Sequence, residues 1–163
     1  MRKKLPQHLL RELLRNSKRS DRELAKVLGV SQPTITRTRH KLEREGVIQD
    51  YTVVPDFRKI GFEILALTFV KMRADVLTPE VMKKATEYAA KFPNAIYSAT
   101  GEGLGVTGVI ISFHKDYTDY HRKVNMLRVD WKDITEDIQS FIISIGEKES
   151  KRFSLTYLGD AIL

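Results

Sequence analysis

The order of apolar and polar residues predicts three short helices in the first third of the chain. Leucines recur at helical spacing over residues 5–14, with charged residues between them, which predicts an amphipathic helix of about three turns. Ser20-Asp21-Arg22-Glu23 has the spacing of a capping box and predicts the start of a second helix, which Gly29 ends. Ser31 is expected to cap a third helix with its side chain, and Gly46 to close it.

A different pattern follows residue 61. Segments rich in apolar and β-branched residues predict strands, and 3.6-residue periodicity between them predicts helices. The predicted strands are 64–70, 95–100, 106–113, 138–145 and a fifth at 152–158, and the predicted helices are 78–91 and 116–131. The order β-α-β-β-α-β is typical of the ferredoxin-like split βαβ arrangement. Residues 47–54 are predicted to be extended chain before a break at Pro55.

The fold class is therefore α+β, with a helix-turn-helix (winged-helix-like) domain followed by a ferredoxin-like domain. The helix-turn-helix prediction rests on three positions that the motif requires. Ala25 is small where the second helix crosses the first, Gly29 tolerates positive φ in the turn, and Ile35 is apolar where the second helix packs back. We expect a DNA-binding domain at 1–53, a linker at 54–61 and an effector and oligomerisation domain at 62–163.

The basic charge coincides with the predicted helix-turn-helix. The chain has a net charge of +7, and residues 1–50 hold 13 Lys and Arg against 6 Asp and Glu, so the whole excess lies there. A basic segment can bind phosphate backbones by counterion release, although charge alone fits a solvated surface equally well. The motif decides in favour of DNA binding.

The predicted DNA-binding side chains lie mainly on the third helix, whose first turn should meet base edges in the major groove. The candidates are Arg19, Arg22, Ser31, Gln32, Thr34, Thr36, Arg37, Arg39, His40 and Lys41. Arg37 is the best candidate for a guanine contact because its planar fork can pair with two acceptors, but a phosphate contact is equally compatible. Arg39 and Lys41 are expected at phosphates. Each of these cations is also compatible with a solvated helix face.

The segment from Asp21 to Gly61 resembles the Lrp/AsnC family of leucine-responsive, or feast/famine, regulators. The matching residues are Leu24-Ala25, Leu28-Gly29-Val30-Ser31, Thr34-Ile35, Arg37, Leu42-Glu43, Gly46-Val47-Ile48, Tyr51 and Lys59-Ile60-Gly61. The predicted βαββαβ domain resembles the effector domain of that family. The resemblance implies a sequence-specific regulator of transcription that binds double-stranded DNA. It also implies a homodimer, or a tetramer or octamer built from dimers, and an amino-acid-like effector bound between subunits.

The sequence departs from the family pattern at several positions. Arg39 stands where an apolar residue is usual, and Gln32 separates the capping serine from Pro33. The familiar Gly-Asp-Tyr-Asp stretch is replaced by the candidate effector residues Gly101, Glu102, Gly103 and Leu104. Because Leu104 replaces an acidic residue, we expect weak or no response to ordinary amino acids.

Other functions find little support in the sequence. The G-x-G-x-x-G at 103–108 is followed by a predicted strand, which favours a hairpin over a dinucleotide site. The histidines form no cluster and there are no cysteines, so we expect no metal, no cofactor and no enzyme. The chain shows no signal peptide or membrane span, so a cytoplasmic protein without membrane partners is expected. The alternatives are an architectural DNA-binding protein with little sequence specificity and no effector, and a small-molecule-binding enzyme subunit.

Overall fold

The computed structural model describes residues 4–76, 78–147 and 149–162. The described chain forms two compact units. One contains the residues up to 54 together with those from 150 onwards, and the other contains residues 55–149.

The first unit consists of three helices around a small apolar core. They are α1 (Leu5–Arg15), α2 (Asp21–Leu28) and α3 (Gln32–Arg44), as the sequence predicts. Each helix contributes one fully buried side chain, namely Leu9, Leu24 and Ile35. Complete burial of a leucine or isoleucine contributes about 1.5–3 kcal/mol, so this contact holds the three helices together.

The chain after α3 forms no β-strand within the described residues 45–63, and turns occupy residues 45–46 and 57–61. The unit therefore resembles a winged helix in its helices only. Its other component is a 3-10 helix, Leu155–Asp160, that packs on α1. The predicted strand at 152–158 is wrong, because this segment packs against a helix and pairs with no other strand. A Cβ atom at Gly159 would lie 3.2 Å from the carbonyl oxygen of Arg11, so a larger residue there would require a small shift of the neighbouring backbone.

The second unit is a four-stranded antiparallel sheet with two helices. The strands are β1 (Ile64–Met72), β2 (Ala95–Gly103), β3 (Val106–His114) and β4 (Thr135–Ser144), in the order β2-β3-β1-β4. Helix α4 (Pro79–Ala89) follows β1, and α5 (Tyr117–Asp130) follows β3. This confirms the predicted ferredoxin-like arrangement. Residues 55–61, predicted as a linker, belong to this unit by their contacts, and Phe57 stacks on Phe113 with ring centroids 4.2 Å apart.

The two faces of the sheet have different surroundings. Ile64 and Ala66 of β1 pack with Tyr120 and Val124 of α5, which defines the inner face. Because alternate residues of a strand point to opposite sides, the neighbouring residues form the outer face. The register places the following apolar side chains together there: Leu65, Leu67, Phe69, Val109, Ile111, Phe141, Ile143 and Tyr97. No helix among the described residues is long and apolar enough to cross a membrane.

Candidate nucleic-acid interface

The turn between α2 and α3 has the geometry that the sequence predicts. Ser20 and Glu23 form a capping box, in which the Ser20 amide donates to Glu23 Oε2 at 2.7 Å and the Glu23 amide donates to Ser20 Oγ at 3.3 Å. Gly29 ends α2 with φ = 66°, a left-handed conformation that costs glycine little. The Val30 amide then donates to the carbonyl oxygen of Ala25 at 3.1 Å. These contacts direct the chain into α3 within two residues.

The first turn of α3 is capped differently from the prediction. Ser31 occupies the N-cap position, but its hydroxyl makes no cap hydrogen bond to the backbone, so the predicted side-chain cap is wrong. Instead Ser31 Oγ lies 2.8 Å from Thr34 Oγ1. The two hydroxyls are therefore hydrogen-bonded to each other at the N-terminal end of the helix.

The outward face of α3 presents polar side chains with no internal partner. Ile35 and Leu42 point into the core, as predicted. Gln32, Arg37 and His40 are exposed. Within the described part of the chain, none of these three side chains forms a hydrogen bond or ion pair. They are therefore available to an external partner.

Arg39 and Thr36, both predicted to contact DNA, are held by Asp21 of α2. Thr36 Oγ1 donates to Asp21 Oδ2 at 2.6 Å, and the Arg39 guanidinium approaches Asp21 Oδ1 at 2.7 Å. Arg39 Nη1 also donates to the Tyr51 hydroxyl at 3.3 Å, which in turn donates to Glu43 at 2.8 Å. This group of five side chains, here called the Asp21 network, links α2, α3 and the chain that follows α3. A DNA contact by Thr36 or Arg39 stays a prediction.

The Asp21 network explains why Arg39 can stand where the family has an apolar residue. Only 15% of the Arg39 side chain and 19% of the Asp21 side chain are exposed. Partial burial acts to raise the pKa of Asp21, but the hydrogen bonds from Thr36 and Arg39 outweigh it and hold the pKa below its usual value. Asp21 is therefore ionised at neutral pH, and the pair fastens α3 to α2. No local sequence pattern indicates this pair, because its members lie 18 positions apart in two different helices.

The remaining predicted cations differ in how strongly they are held. Arg19 lies against Glu12, a buried carboxylate of α1 that also pairs with Arg15 at 3.1 Å. Lys41 pairs loosely with Glu45 at 3.8 Å on the exposed side of α3. Arg22 is exposed and has no ion pair within the described chain. Arg22 and Lys41 are thus the cations of this set that are freest to move towards a phosphate.

The candidate effector residues lie in the second unit, at the hairpin between β2 and β3. The G-x-G-x-x-G segment forms this hairpin, as predicted, with Leu104 and Gly105 at its turn. Leu104 has φ = 52° and is 90% exposed. A leucine with a left-handed backbone is uncommon, since glycine or asparagine usually occupies such turns. Gly101, Glu102 and Gly103 are also exposed, and a ligand role for this hairpin stays a prediction.

Comparisons with known proteins agree with this geometry. The model of the AsnC-type helix-turn-helix domain matches residues 5–43. An uncharacterized HTH-type transcriptional regulator of Pyrococcus furiosus is 32% identical over 127 residues, which cover 77% of this chain and 82% of the relative. The HTH-type transcriptional regulator LrpA of Pyrococcus abyssi is 30% identical over 82 residues, covering 50% of this chain and 56% of that relative. The chain thus spans little more than half the length of this second relative.

Solved structures of similar fold cover nearly the whole chain. An AsnC family transcriptional regulator from Agrobacterium tumefaciens has a TM-score of 0.76 at 21% identity, over 94% of this chain and 97% of its own. The transcriptional regulator NMB0573 of Neisseria meningitidis, solved as a complex with L-Met, has a TM-score of 0.74 at 17% identity, over 94% and 96%. At these identities the likeness shows the fold alone.

The Asp21 network predicts a pH-dependent loss of stability on mutation. Asp21→Asn should lower the free energy of unfolding near pH 7 by about 1–2 kcal/mol, because a charged acceptor of hydrogen bonds is lost. A carboxylate whose pKa is lowered by folding stabilises the folded state above its unfolded pKa of about 4, and this contribution is lost as the pH falls through its folded pKa. The difference between variant and wild type, measured by urea unfolding, should therefore shrink below about pH 4.

Glu45→Gln is the matched control, since Glu45 is a more exposed carboxylate with a looser ion pair. It should change the unfolding free energy by less than about 0.5 kcal/mol. An Asp21→Asn variant as stable as wild type at pH 7 would show that the network does not fasten α3.

Proposed function

The chain belongs to the Lrp/AsnC family of transcriptional regulators, and from this premise we propose that it regulates transcription by sequence-specific binding of α3 in the major groove of double-stranded DNA. The observation that carries the proposal is the outward face of α3. Gln32, Arg37 and His40 are exposed and unpaired there, in the part of the chain that holds the whole excess of positive charge. The second helix of a helix-turn-helix reads bases with its N-terminal half, which is where Gln32 and Arg37 lie.

Base reading is proposed for the side chains whose hydrogen-bond donors have no partner within the described chain. Glutamine pairs with the N6 and N7 atoms of adenine, and arginine pairs with the O6 and N7 atoms of guanine. We therefore propose that Gln32 contacts an adenine and that Arg37 contacts a guanine. A phosphate contact is the alternative for Arg37. Ser31 and Thr34 lie in the first turn, where their mutually bonded hydroxyls can each still accept a donor from a base or a phosphate. His40 continues the same face one turn further along.

Phosphate contacts are proposed for the cations around this face. Arg22 and Lys41 are exposed and can reach a DNA backbone without breaking a strong internal contact. Arg19 and Arg39 are held by Glu12 and Asp21, but a guanidinium has five donors, so each retains N–H groups for a phosphate. Thr36 is the weakest candidate, since its hydroxyl proton is directed at Asp21.

A homodimer, or a tetramer or octamer built from dimers, is proposed to form through the outer face of the sheet. Phe141 is 64% exposed and Tyr97 is 54% exposed, on a face made of apolar side chains from all four strands. Apolar faces of this kind mark protein–protein interfaces. A two-fold dimer would present two copies of α3, which suits operators with two half-sites one helical turn apart.

An amino-acid-like effector is proposed at the β2–β3 hairpin, between subunits. The solved Neisseria relative was crystallised with L-Met, and Gly101 and Gly103 allow a ligand near the backbone. Leu104 cannot pair with an ammonium group, and an unpaired buried ammonium is costly. The response to ordinary amino acids should therefore be weak unless Glu102 supplies the charge.

The role of Arg37 predicts a loss of binding without a loss of stability. Arg37→Ala should weaken binding to a preferred duplex by about 1–3 kcal/mol and relax the preference at one base position, as judged by fluorescence anisotropy. The thermal midpoint should not change, since the Arg37 side chain makes no internal contact within the described chain. Arg44→Ala, an exposed arginine at the C-terminal end of α3, is the control and should have a smaller effect. An equal loss on every duplex would assign Arg37 to a phosphate, and unchanged binding would remove it from the interface.

The proposed dimer predicts a specific effect of charge on the outer face. Phe141→Glu should raise the dissociation constant of the dimer roughly 100-fold, because two unpaired carboxylates would be buried at the interface. Analytical ultracentrifugation of the full chain at micromolar concentration measures the shift. Val129→Glu, at an apolar residue of α5 that is 67% exposed, is the control and should leave association unchanged. A Phe141→Glu variant that associates like wild type would show that the outer face is not the interface.

A further inference from the structure

A large cavity lies inside the second unit, between the inner face of the sheet and helices α4 and α5. Its volume is about 470 Å³. Pockets that bind small molecules typically measure about 300–1,000 Å³, whereas ordinary protein cores contain few voids larger than a water molecule. The cavity is therefore too large to be a simple packing defect. Its lining includes strand residues of the β2–β3 hairpin but none of the candidate effector residues 101–104.

Small residues create this space. Ala85 and Ala89 of α4 line one side, and Ala95, Ser98 and Gly108 of the sheet line the other. No residue of α4 is fully buried, although the helix covers the sheet. A helix that covers a sheet normally buries an apolar stripe against it. The alanines of α4 leave that space open.

The walls of the cavity are mostly apolar, and one end is polar. Val70, Met82, Phe92, Leu127 and Trp131 form much of the apolar lining. Such walls suit the hydrocarbon or aromatic body of a ligand, since burying apolar surface is favourable.

The polar end combines one cation with an unsatisfied imidazole. His114 is 2% exposed, its Nε2 lies 2.8 Å from Ser112 Oγ, and its Nδ1 has no hydrogen-bond partner among the described residues. A buried ring nitrogen without a partner is unfavourable. Lys123 is the one charged side chain among the described residues that line the cavity. Burial, with the nearby Lys123, lowers the pKa of His114, so the ring is neutral at pH 7 and can donate or accept.

The local balance of charge favours an anion. Lys123 pairs with Asp119 at 3.0 Å, but Asp119 also pairs with Arg122 at 2.8 Å. Two cations therefore share one carboxylate, and a net positive charge remains beside the cavity. No aspartate or glutamate is among the described lining residues, and the nearby Asp119 is already paired with two cations, so a ligand ammonium would find no unpaired counter-ion there. An anion with an apolar body fits both ends of the cavity, whereas a zwitterion does not.

We propose that this cavity is a binding site for a small apolar carboxylic acid, whose carboxylate pairs with Lys123 and whose hydrocarbon or aromatic body lies between α4 and the sheet. The inference extends the small-molecule part of the proposed function to a second site and a different class of ligand. It does not depend on DNA binding, and its test contains no DNA, so the two proposals can fail separately.

The test uses 4-phenylbutyrate as the probe, with its neutral amide and 4-phenylbutylamine as matched compounds, and isothermal titration calorimetry of the full chain. The carboxylate should bind at least tenfold more tightly than the amide and the amine. Lys123→Met should remove this preference while preserving the fold, since the methionine keeps much of the apolar stem. Ala89→Phe should fill the cavity and weaken binding of the acid at least tenfold. Lys84→Ala, on the exposed side of α4, should bind like wild type.

Methionine methyl NMR of the wild-type chain locates the probe without any substitution. Met72 and Met82 line the cavity, whereas Met126 of α5 is 47% exposed and does not line it. Saturable shifts of the Met72 and Met82 methyls, with Met126 unchanged, support the proposal. Absence of saturable binding at millimolar probe, equal affinity for all three compounds, or shifts that spare Met72 and Met82 would each overturn it.

Discussion

Three fully buried side chains, Leu9, Leu24 and Ile35, join α1, α2 and α3, and the surface proposed to meet DNA depends on this contact. With Ile35 fixed inward, the helical period directs Arg37 and His40 outward, so burial at one position sets the direction of the others. Gln32 is exposed at the first position of the helix. The left-handed turn at Gly29 and the capping box at Ser20 keep the connection short. The Asp21 network then fastens α3 to α2 beside this apolar contact, because Arg39 lies one helical turn after the buried Ile35.

Local patterns in the sequence were enough to predict the structural features that depend on residues close together in the chain. The capping box, the glycine turn and the apolar spacing of the helices depend on residues a few positions apart, and the structure confirms them. Segments rich in apolar and β-branched residues predicted β1 to β4 in the same way. The predictions that were wrong concern side chains or segments whose structure depends on other contacts. The segment after residue 150 has a strand-like composition, yet residues 155–160 form a 3-10 helix that packs on α1, with Gly159 close to the α1 backbone. Ser31 is a residue type that commonly caps a helix with its side chain, but its hydroxyl forms a hydrogen bond with the Thr34 hydroxyl instead.

The candidate site shows the same division. The exposure of Arg37 and His40 was predicted from the helical period, and that of Gln32 from its place in the first turn of α3. The internal roles of Arg39 and Thr36 did not, because they depend on Asp21, which lies 15 or more positions earlier in the chain. The burial of Glu12 could not be predicted for a similar reason. It depends on ion pairs with Arg15 and Arg19, which only the folded structure brings together around this carboxylate.

The second unit uses the two faces of one sheet for different purposes. The outer face is apolar and exposed, which suits contact with a second copy, and the inner face is covered by helices that leave a cavity. The sequence predicts Ala85 and Ala89 as inward residues of an ordinary amphipathic helix, and their small size becomes informative only when the opposite wall also consists of small residues. The proposed interface on one side and the proposed ligand cavity on the other would lie within one sheet thickness of each other.

The central claim, that α3 reads DNA sequence, is tested most directly by comparing two duplexes. One is selected from a random pool by the full chain, and the other has the same composition in shuffled order. Fluorescence anisotropy at near-physiological salt should give at least about 10³-fold tighter binding of the selected duplex. Affinity for both should fall with salt, with a log–log slope near −5 if about six phosphates are contacted. Equal affinity for the two duplexes would contradict the account and favour an architectural protein that binds DNA without reading it.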